Sequence, residues 1–212
     1  MKYTALIVAA GSGSRMGLGY NKAYYRLEGK TILEHSMALF LDDSDCELVI
    51  VVTDADDYRR EISSEGVGRI VLVQGGATRQ ESVFHGLQAV ISDTVLIHDG
   101  ARPFLSKDSL EEIKRAMETE EAACLMVPCK DTIKITENGY IAETLPREKL
   151  MAAQTPQAFR TEPLLTCMKK AEAEGFQATD ECSVWERYSA AGIRVIAGSY
   201  ANKKITTMED LQ

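Results

Sequence analysis

Residues 6–22 are Leu6-Ile-Val-Ala-Ala-Gly11-Ser-Gly13-Ser-Arg15-Met-Gly17-Leu-Gly19-Tyr-Asn-Lys22, and the rest of the chain is interpreted around them. They overlap a short apolar run, Tyr3 to Ala10, which predicts a strand buried on both faces. The run ends in a loop with four glycines, where the lack of a Cβ lets the backbone approach a ligand. Successive N–H groups in such a loop form a concave site for phosphate. Arg15 and Lys22 add cations that a purely structural turn does not need, so the sequence predicts a phosphate-binding loop.

The glycine spacing excludes two common phosphate loops. A dinucleotide-binding loop requires G-x-G-x-x-G, but here Met16 holds the third glycine position and Gly17 comes one residue later. The Walker A pattern, G-x-x-x-x-G-K-[ST], does not occur in this stretch. An ordinary strand–helix connection remains the structural alternative, and the two cations favour a ligand loop.

Composition limits the class of protein. A chain of 212 residues suits a single domain with a substantial core, and a formal charge of −8 argues against a nucleic-acid-binding surface. Five scattered cysteines without a C-x-x-C motif fit a reducing compartment and predict no structural zinc. No apolar run approaches the ~18 residues of a membrane span, and the N-terminal run leads directly into the glycine loop. We therefore expect a cytoplasmic protein with neither a membrane nor a nucleic-acid partner.

Strand and helix patterns alternate along most of the chain. Capping boxes at Thr31-x-x-Glu34 and Thr78-x-x-Glu81 predict two helix starts. Further helices are predicted at about 55–64, 107–119, 162–174 and 180–191, and strands at 48–53, 70–73, 95–97, 123–127 and 194–197. The alternation indicates an α/β fold, a Rossmann-like three-layer sandwich with a mostly parallel sheet. Ligands bind such sheets beyond the carboxyl ends of the strands.

One segment departs from this alternation. Asn138-Gly139 separates two alternating runs, 132–137 and 140–145, and predicts a β-hairpin with a two-residue turn. A lone hairpin is marginal in water, so it needs a surface to pack on. We expect one domain, residues 1–212, with a protruding β-hairpin arm inserted at about 129–153. After the arm, Gly175 and Gly192 are each placed to end a helix, and Thr207 is placed to begin another.

Two motifs at strand ends carry candidate chemistry. His98-Asp-Gly-Ala-Arg-Pro103 follows a predicted buried strand, and Asp99 there could hold Mg²⁺; a buried Asp99–Arg102 pair is the structural alternative. His98 itself is interpreted as structural. Gly75-Gly76-x-x-Arg79-x-x-Ser82 is a second glycine turn that could meet the edge of a base, or an ordinary strand–helix turn.

Several shorter segments offer hydroxyls, amides or cations, and each alone is typical of a turn or a cap. They are residues 130–134, 146–148, 154–157, 179–181 and 202–206. Thr179, for example, suits a helix N-cap whatever the function. Asp54-Ala-Asp56 imitates the D-x-D metal motif of nucleotide-sugar glycosyltransferases, although the start of a polar helix explains it as well.

Taken together, these motifs resemble a known family. The loop A-A-G-x-G-x-R-M followed by a lysine is similar to the signature of sugar-phosphate nucleotidylyltransferases. From residue 4 to about 211, the chain resembles the 2-C-methyl-D-erythritol 4-phosphate cytidylyltransferase (IspD) family. The resemblance implies formation of 4-diphosphocytidyl-2-C-methyl-D-erythritol and pyrophosphate from CTP, with Mg²⁺, in the non-mevalonate isoprenoid pathway. A ribitol-5-phosphate cytidylyltransferase is the nearest alternative.

The resemblance also implies roles for single residues. Arg15 and Lys22 would stabilise the transition state, and Asp99 would bind the metal. The CTP-binding residues would be Ala9, Ala10, Gly11, Gly13, Gly76 and Ser82. The residues that hold methylerythritol phosphate would be Gly100, Arg102, Thr132, Thr155 and Thr179, with Arg147 and Lys204 placing its phosphate for attack.

The resemblance further implies a homodimer with interlocked arms. Thr132 and Arg147 flank the hairpin, so we expect Arg147 to act in the partner's site. Three positions depart from the family pattern: Asn21 replaces a usual proline, Ala77 replaces a common acidic residue, and Lys203 adds a cation. Asn21 predicts a looser loop before Lys22.

Overall fold

The protein is described by a computed structural model that covers residues 1–11, 19–62 and 68–211. The strands are β1 (Tyr3–Val8), β2 (Arg26–Leu27), β3 (Lys30–Thr31), β4 (Cys46–Val52), β5 (Ile70–Val73), β6 (Thr94–Asp99), β7 (Ala122–Pro128), β8 (Lys134–Glu137), β9 (Tyr140–Thr144), β10 (Met151–Arg160) and β11 (Arg194–Ala197). The helices are α1 (Ile32–Asp42), α2 (Ala55–Glu61), α3 (Arg79–Leu87), α4 (Lys107–Ala116), α5 (Thr161–Ala173) and α6 (Glu181–Tyr188). Short 3₁₀ turns cover Lys22–Tyr24, Arg147–Lys149 and Met208–Leu211.

Seven strands form the central sheet in the order β11-β7-β10-β6-β1-β4-β5. All neighbours pair in parallel except β10, which runs antiparallel to both β6 and β7. The strand order reverses at β1, whose two neighbours β4 and β6 lead away in opposite directions. Ligand crevices of open α/β sheets lie at such a point, beyond the carboxyl ends of the strands.

Two cores cover the two faces of the sheet. Tyr3, Ala5 and Ile7 of β1 pack with α1, α2 and α4, whereas Leu6 points to the other face and packs with α3, α5 and α6. This alternation follows from the two-residue period of a strand. The expected three-layer α/β sandwich with a mostly parallel sheet is confirmed, and strands β1, β4 and β7 are the apolar runs that a doubly covered sheet requires.

The arm is present as predicted. Within the described part of the chain, strands β8 and β9 pair only with each other, and Asn138 and Gly139 between them adopt φ values of 50° and 83°. Two successive positive φ values fit the type I′ turn that joins twisted strands. Every residue from 131 to 144 is exposed, so the hairpin protrudes from the chain that forms it.

Several local predictions are wrong. Strand β10 was not predicted, because Pro156 and the glutamines around it resemble a loop. Helix α6 ends at Tyr188, with Ser189 as its C-cap, so Gly192 does not end it. The N-cap of α6 is Asp180 rather than Thr179. At the start of α3, Thr78 accepts a hydrogen bond from Glu81 N, but the Glu81 carboxylate turns to Ala77 N, so only half of the capping box forms.

The capping box at the start of α1 is complete, with Thr31 and Glu34 bonded reciprocally. Asp54 is the N-cap of α2, where its side chain accepts from two backbone N–H groups, which supports the polar helix start over a glycosyltransferase metal motif. No helix in the described ranges combines the length and apolar character needed to cross a bilayer.

Candidate active site

Two adjoining cavities open where β1, β6 and β10 meet. The larger cavity, about 430 Å³, lies over Val8–Gly11, the Lys22 turn and the N-terminus of α3. The smaller cavity, about 230 Å³, lies over Ala153–Thr155, Gln157 and Arg102. Three charged side chains line both cavities: Arg79, Asp99 and Lys204. Their position marks the junction between the two cavities.

Glycines and a hydroxyl shape the floor of the larger cavity. A Cβ on Gly75 would collide with the Cβ of Ala10, so only glycine lets the α3 turn approach the end of β1. Ser82 Oγ accepts a hydrogen bond from Gly76 N at 3.0 Å and donates to Thr78 O at 2.9 Å. Because its single proton is used there, Ser82 holds the glycine turn and can offer a ligand only an acceptor.

The Lys22 turn is held to the same floor. Asn21 caps the turn by accepting from Ala23 N at 3.0 Å, and its amide Nδ2 donates to Ala9 O. Lys22 Nζ donates to Ile205 O at 2.6 Å and lines the larger cavity. The Asn21 side chain thus bonds both the turn and the end of β1, and the looser loop expected from Asn21 stays a prediction.

Asp99 lies at the junction, at the last position of β6, surrounded by cations. Its Oδ1 is 3.3 Å from Arg79 Nε, and its Oδ2 is 2.9 Å from Lys204 Nζ and 3.4 Å from Arg102 Nε. Burial alone would raise the pKa of this carboxyl, but the three cations outweigh burial and hold the pKa well below its usual range. Asp99 is thus an ionised, oriented carboxylate. The predicted Asp99–Arg102 pair exists, as one part of this larger cluster.

Arg79 also pairs with a carboxylate that sequence reasoning missed. Its guanidinium meets Glu181 in a two-pronged contact, Nη1 to Oε1 at 2.7 Å and Nη2 to Oε2 at 3.0 Å. The Glu181 side chain is 2% exposed, and it lies 102 positions along the chain from Arg79. In the sequence, the two residues share only their position at the start of a helix. Arg79 begins α3 after the Gly75-Gly76 turn, and Glu181 begins α6 shortly after Thr179.

His98 and Thr155 hold the backbone of Asp99 through hydrogen bonds. Asp99 N donates to Thr155 Oγ1 at 3.0 Å, which leaves the threonine proton for His98 Nδ1, also at 3.0 Å. His98 Nε2 lies 3.0 Å from Arg102 O and therefore carries the ring proton. Burial lowers the pKa of His98 to about 4, so the ring is neutral at pH 7. This chain of bonds fixes the backbone that carries Asp99.

Most of the predicted site residues meet at the two cavities. The larger cavity is lined by Ala9, Ala10, Gly11, Lys22, Gly76, Ser82, Asp99, Gly100 and Lys204, and the smaller one by Asp99, Arg102, Thr155, Thr179 and Lys204. Thr132 and Arg147 line neither cavity and lie at the exposed base of the arm. Gly13 and Arg15 lie outside the described residues.

The donor set accommodates a magnesium ion only in part. Within residues 1–11, 19–62 and 68–211, no group of three or more His, Cys, Asp or Glu side chains gathers to hold a metal. A carboxylate offers about four lone-pair directions, and three of those on Asp99 face cations. Mg²⁺ commonly takes one or two carboxylate ligands and fills its shell with phosphate and water. Asp99 therefore fits an ion that arrives already bound to a polyphosphate, as its single protein ligand.

Comparisons with known proteins identify the family of the chain. A sequence profile of the family IspD, 2-C-methyl-D-erythritol 4-phosphate cytidylyltransferase, matches residues 3–212. The cytidylyltransferase of that name from Halalkalibacterium halodurans is 44% identical over 220 residues, covering 100% of this chain and 94% of that protein. The one from Bacillus velezensis is 40% identical over 216 residues, covering 100% and 93%.

Solved structures agree as well. The crystal structure of 4-diphosphocytidyl-2C-methyl-D-erythritol synthase from Anaerococcus prevotii superposes with a TM-score of 0.86 at 32% identity, covering 99% of this chain and 95% of that one. The 2-C-methyl-D-erythritol 4-phosphate cytidylyltransferase (IspD) of Francisella tularensis gives 0.85 at 30% identity, covering 98% and 96%. The match extends over nearly the whole of each chain, and the chain belongs to the IspD family of nucleotidyltransferases, the 2-C-methyl-D-erythritol 4-phosphate cytidylyltransferases.

Proposed function

We propose that this chain transfers the cytidylyl group of CTP to 2-C-methyl-D-erythritol 4-phosphate, releasing pyrophosphate. The observation that carries the proposal is the junction of the two cavities, where three cations surround the single carboxylate of Asp99. Two anionic reactants repel each other, and a site that joins them must supply positive charge where they meet. Full-length membership in the IspD family supports CTP and methylerythritol phosphate as the pair.

The larger cavity takes CTP. Backbone at Ala9, Ala10, Gly11 and Gly76 lines it, so the nucleotide can approach close to the main chain, with Ser82 holding the Gly76 turn. The family resemblance implies that Gly13 also binds CTP and that Arg15 joins Lys22 in stabilising charge on the phosphates.

The smaller cavity takes the acceptor. Arg102 and Lys204 provide cations for its phosphate, Thr155 and Thr179 border its polyol, and Gly100 meets it from the larger cavity. An oxygen of that phosphate attacks the α-phosphorus of CTP, and the bond from the α-phosphorus to the bridging oxygen breaks as pyrophosphate leaves with the electron pair. No covalent nucleophile on the protein is needed, because positioning and charge stabilisation carry the step.

Asp99 would hold Mg²⁺ that enters with the triphosphate. The ion, when bound, supplies charge neutralisation on the triphosphate oxygens. The chain's own part is to orient Asp99, through Thr155 at its backbone N–H and through Arg79 and Lys204 at its oxygens. The reducing cytoplasm is the compartment we assign, which suits the five free cysteines.

The arm completes the site from a second subunit. Ile135, Tyr140 and Ile141 of the hairpin are 40%, 80% and 66% exposed, far more apolar surface than a lone hairpin keeps in water. A second copy related by a two-fold axis would cover it. Arg147 donates to Lys130 O at 2.9 Å at the arm's base and lines neither the larger nor the smaller cavity of its own chain, which supports its acting in the partner's site together with Thr132.

A heterodimer tests this sharing. One chain carries Lys22→Ala and the other Arg147→Ala, with different tags for purification. If Arg147 acts across the interface, one site holds both lesions and the other is intact, so activity is about half that of the wild type. If Arg147 acts within its own chain, both sites are damaged, and near-absence of activity rejects the shared site.

Pyrophosphate release tests the reaction itself. We expect rapid, Mg²⁺-dependent release from CTP with methylerythritol phosphate, and much slower release with ribitol 5-phosphate or with ATP in place of CTP. Release that is faster with ribitol 5-phosphate would assign the chain to the alternative acceptor. No release with either acceptor, from a folded protein that binds CTP, would contradict catalysis.

A further inference from the structure

We propose that Arg79 is a further catalytic residue, whose remaining N–H groups donate to phosphate oxygens at the junction of the two cavities, and that Glu181 is the positioning residue that aims it. Neither residue was assigned a role by sequence reasoning. The inference rests on the proposed function for the identity of the reacting phosphates, but the geometry of the pair stands by itself.

The donors of Arg79 are only partly used. A guanidinium carries five N–H groups, and three of them meet Asp99 and Glu181. The other two have no partner among the described residues. The Arg79 side chain is 28% exposed, whereas its partners Asp99 and Glu181 are 9% and 2% exposed. Since Arg79 lines both cavities, the exposed part of the guanidinium faces the space where a ligand from either cavity would lie.

Glu181 gives Arg79 a fixed direction. The two-pronged contact constrains the plane of the guanidinium as well as its position, which a single contact does not do. Glu181 is itself anchored at the first turn of α6, beside Cys182, whose N–H donates to Gln157 Oε1. Burial would lower the pKa of Arg79, but the two carboxylates outweigh burial and raise it, so the cation persists at every working pH.

The charge balance explains why such a pair suits phosphate transfer. Arg79 and Glu181 together are neutral, so the buried pair is tolerated when the cavities are empty. A phosphate oxygen at the junction then meets donors that are already oriented and need no reorganisation during the reaction, which is the condition under which single donors have large effects on rate. Lysine would not serve equally, because its ammonium is a point charge without a planar fork.

The main test replaces both partners at once. The variant Arg79→Gln/Glu181→Gln keeps the summed charge of the pair at zero and leaves two amides that can bond each other, so lost activity reports the donors rather than the net charge. We expect kcat to fall on the order of a hundred- to thousandfold, far more than the rise in KM for CTP, because the Arg79 donors bind substrate phosphate and bind the transition state more strongly still. A kcat within threefold of the wild type, or a change confined to KM, would overturn the inference.

Two further variants keep the test decisive if the double variant does not fold. Arg79→Lys keeps the charge and removes the fork, and a fall in kcat of at least about tenfold is expected, whereas wild-type kcat overturns the inference. Lys114→Gln is the matched control, because Lys114 is a buried cation paired with Asp43 and Asp45 away from both cavities. It should change stability and leave kcat per folded molecule unchanged.

A binding measurement separates this inference from the proposed function. Inorganic phosphate is titrated by calorimetry into the wild type and into Arg79→Gln/Glu181→Gln. At least about tenfold weaker binding in the variant supports the role of Arg79 even if the wild type releases no pyrophosphate from CTP, which would refute the proposed function alone. Equal affinity, or no phosphate binding by the wild type, overturns the inference.

Discussion

Two buried cation clusters in this protein differ in their charge balance. The junction cluster consists of Arg79, Asp99, Arg102, Glu181 and Lys204. The Lys114 cluster, between α4 and the loop after α1, consists of Lys114, Asp43, Asp45 and Glu111, with Nζ to carboxylate distances of 2.8, 2.9 and 3.2 Å. The first has three cations for two carboxylates, and the second has the Lys114 ammonium for three carboxylates, with the N-terminal ammonium of Met1 a further 3.8 Å from Asp45.

This difference in charge balance distinguishes a ligand-binding site from a cluster that only stabilises the fold. In the Lys114 cluster, every donor of the ammonium meets a carboxylate, and Tyr3 OH adds a fourth bond to Asp43 at 2.9 Å. Burial would lower the pKa of Lys114, but its hydrogen bonds to these carboxylates raise it, so the cluster is complete without a ligand. The junction cluster has one more cation than carboxylates, and in the proposed function a substrate phosphate balances that charge. An excess of cations beside a cavity, rather than burial or pairing alone, is the sign of function here.

The largest expected effect is on turnover. Lys22→Ala removes a cation that lines the larger cavity, and we expect kcat to fall by a hundred- to thousandfold, equivalent to ~3–4 kcal/mol of transition-state stabilisation, with little change in CTP affinity. Steady-state kinetics and CTP calorimetry measure the two quantities separately. Near-normal turnover with only a raised KM would assign Lys22 to ground-state binding instead.

The Lys114 cluster should show the opposite pattern. Lys114→Met keeps the length of the side chain but leaves Asp43 without its main partner, and a broken buried ion pair is strongly destabilising. We expect the free energy of unfolding to fall by about 3 kcal/mol, because Asp45 and Glu111 are partly solvated, and kcat per folded molecule to stay unchanged. Urea denaturation measures the stability, and activity assays at matched concentrations of folded protein measure kcat. A lower kcat would mean that the Lys114 cluster also contributes to catalysis, which contradicts the difference between the two clusters.

Sequence reasoning found the elements whose signal is local. The end of β1 in a glycine loop, the capping box at Thr31 and the positive φ values at Asn138 and Gly139 all follow from short-range chemistry. Strand β10 was missed because Pro156 has no N–H for a ladder and polar side chains surround it. Its pairing with β7 is irregular between Ala153 and Gln157, which is how a central strand accommodates such a sequence.

The candidate site was found only in its outline. The motifs placed most site residues at strand ends, and the fold gathered them, because the carboxyl ends of parallel strands meet at one edge. The Arg79–Glu181 pair could not be found this way, since the partners lie on different helices and only tertiary packing brings them together. His98 was rightly judged structural, yet its bond to Thr155 has no signature in the sequence.

A pH series tests whether His98, which holds the Asp99 backbone through Thr155, is buried in its neutral form. His98 has a folded pKa of about 4 because of burial, against about 6.5 when unfolded, so the unfolded chain binds more protons between these values. Stability from His98 is therefore fully present above about pH 6.5 and is lost as the pH falls toward 4. Between pH 7.5 and 5, we expect a loss of about 2 kcal/mol that His98→Gln does not show. Equal pH dependence in both proteins would mean that the ring is not buried neutral.

The smallest expected effect concerns Asn21, which positions a cation of the site without any charge of its own. Asn21→Ala removes the cap on the Lys22 turn and the bond to Ala9 O, and we expect a stability loss of about 1 kcal/mol and a severalfold lower kcat. Asn21→Pro loses the same side-chain bonds, but the observed φ of −65° is one that proline adopts without strain, so the turn stays restricted. Turnover of the proline variant should therefore lie between those of Asn21→Ala and the wild type. Lys114→Met serves as the control, because it alters stability far from this turn. If Asn21→Ala matches the wild type in both stability and kcat, the neutral Asn21 side chain has no part in placing Lys22.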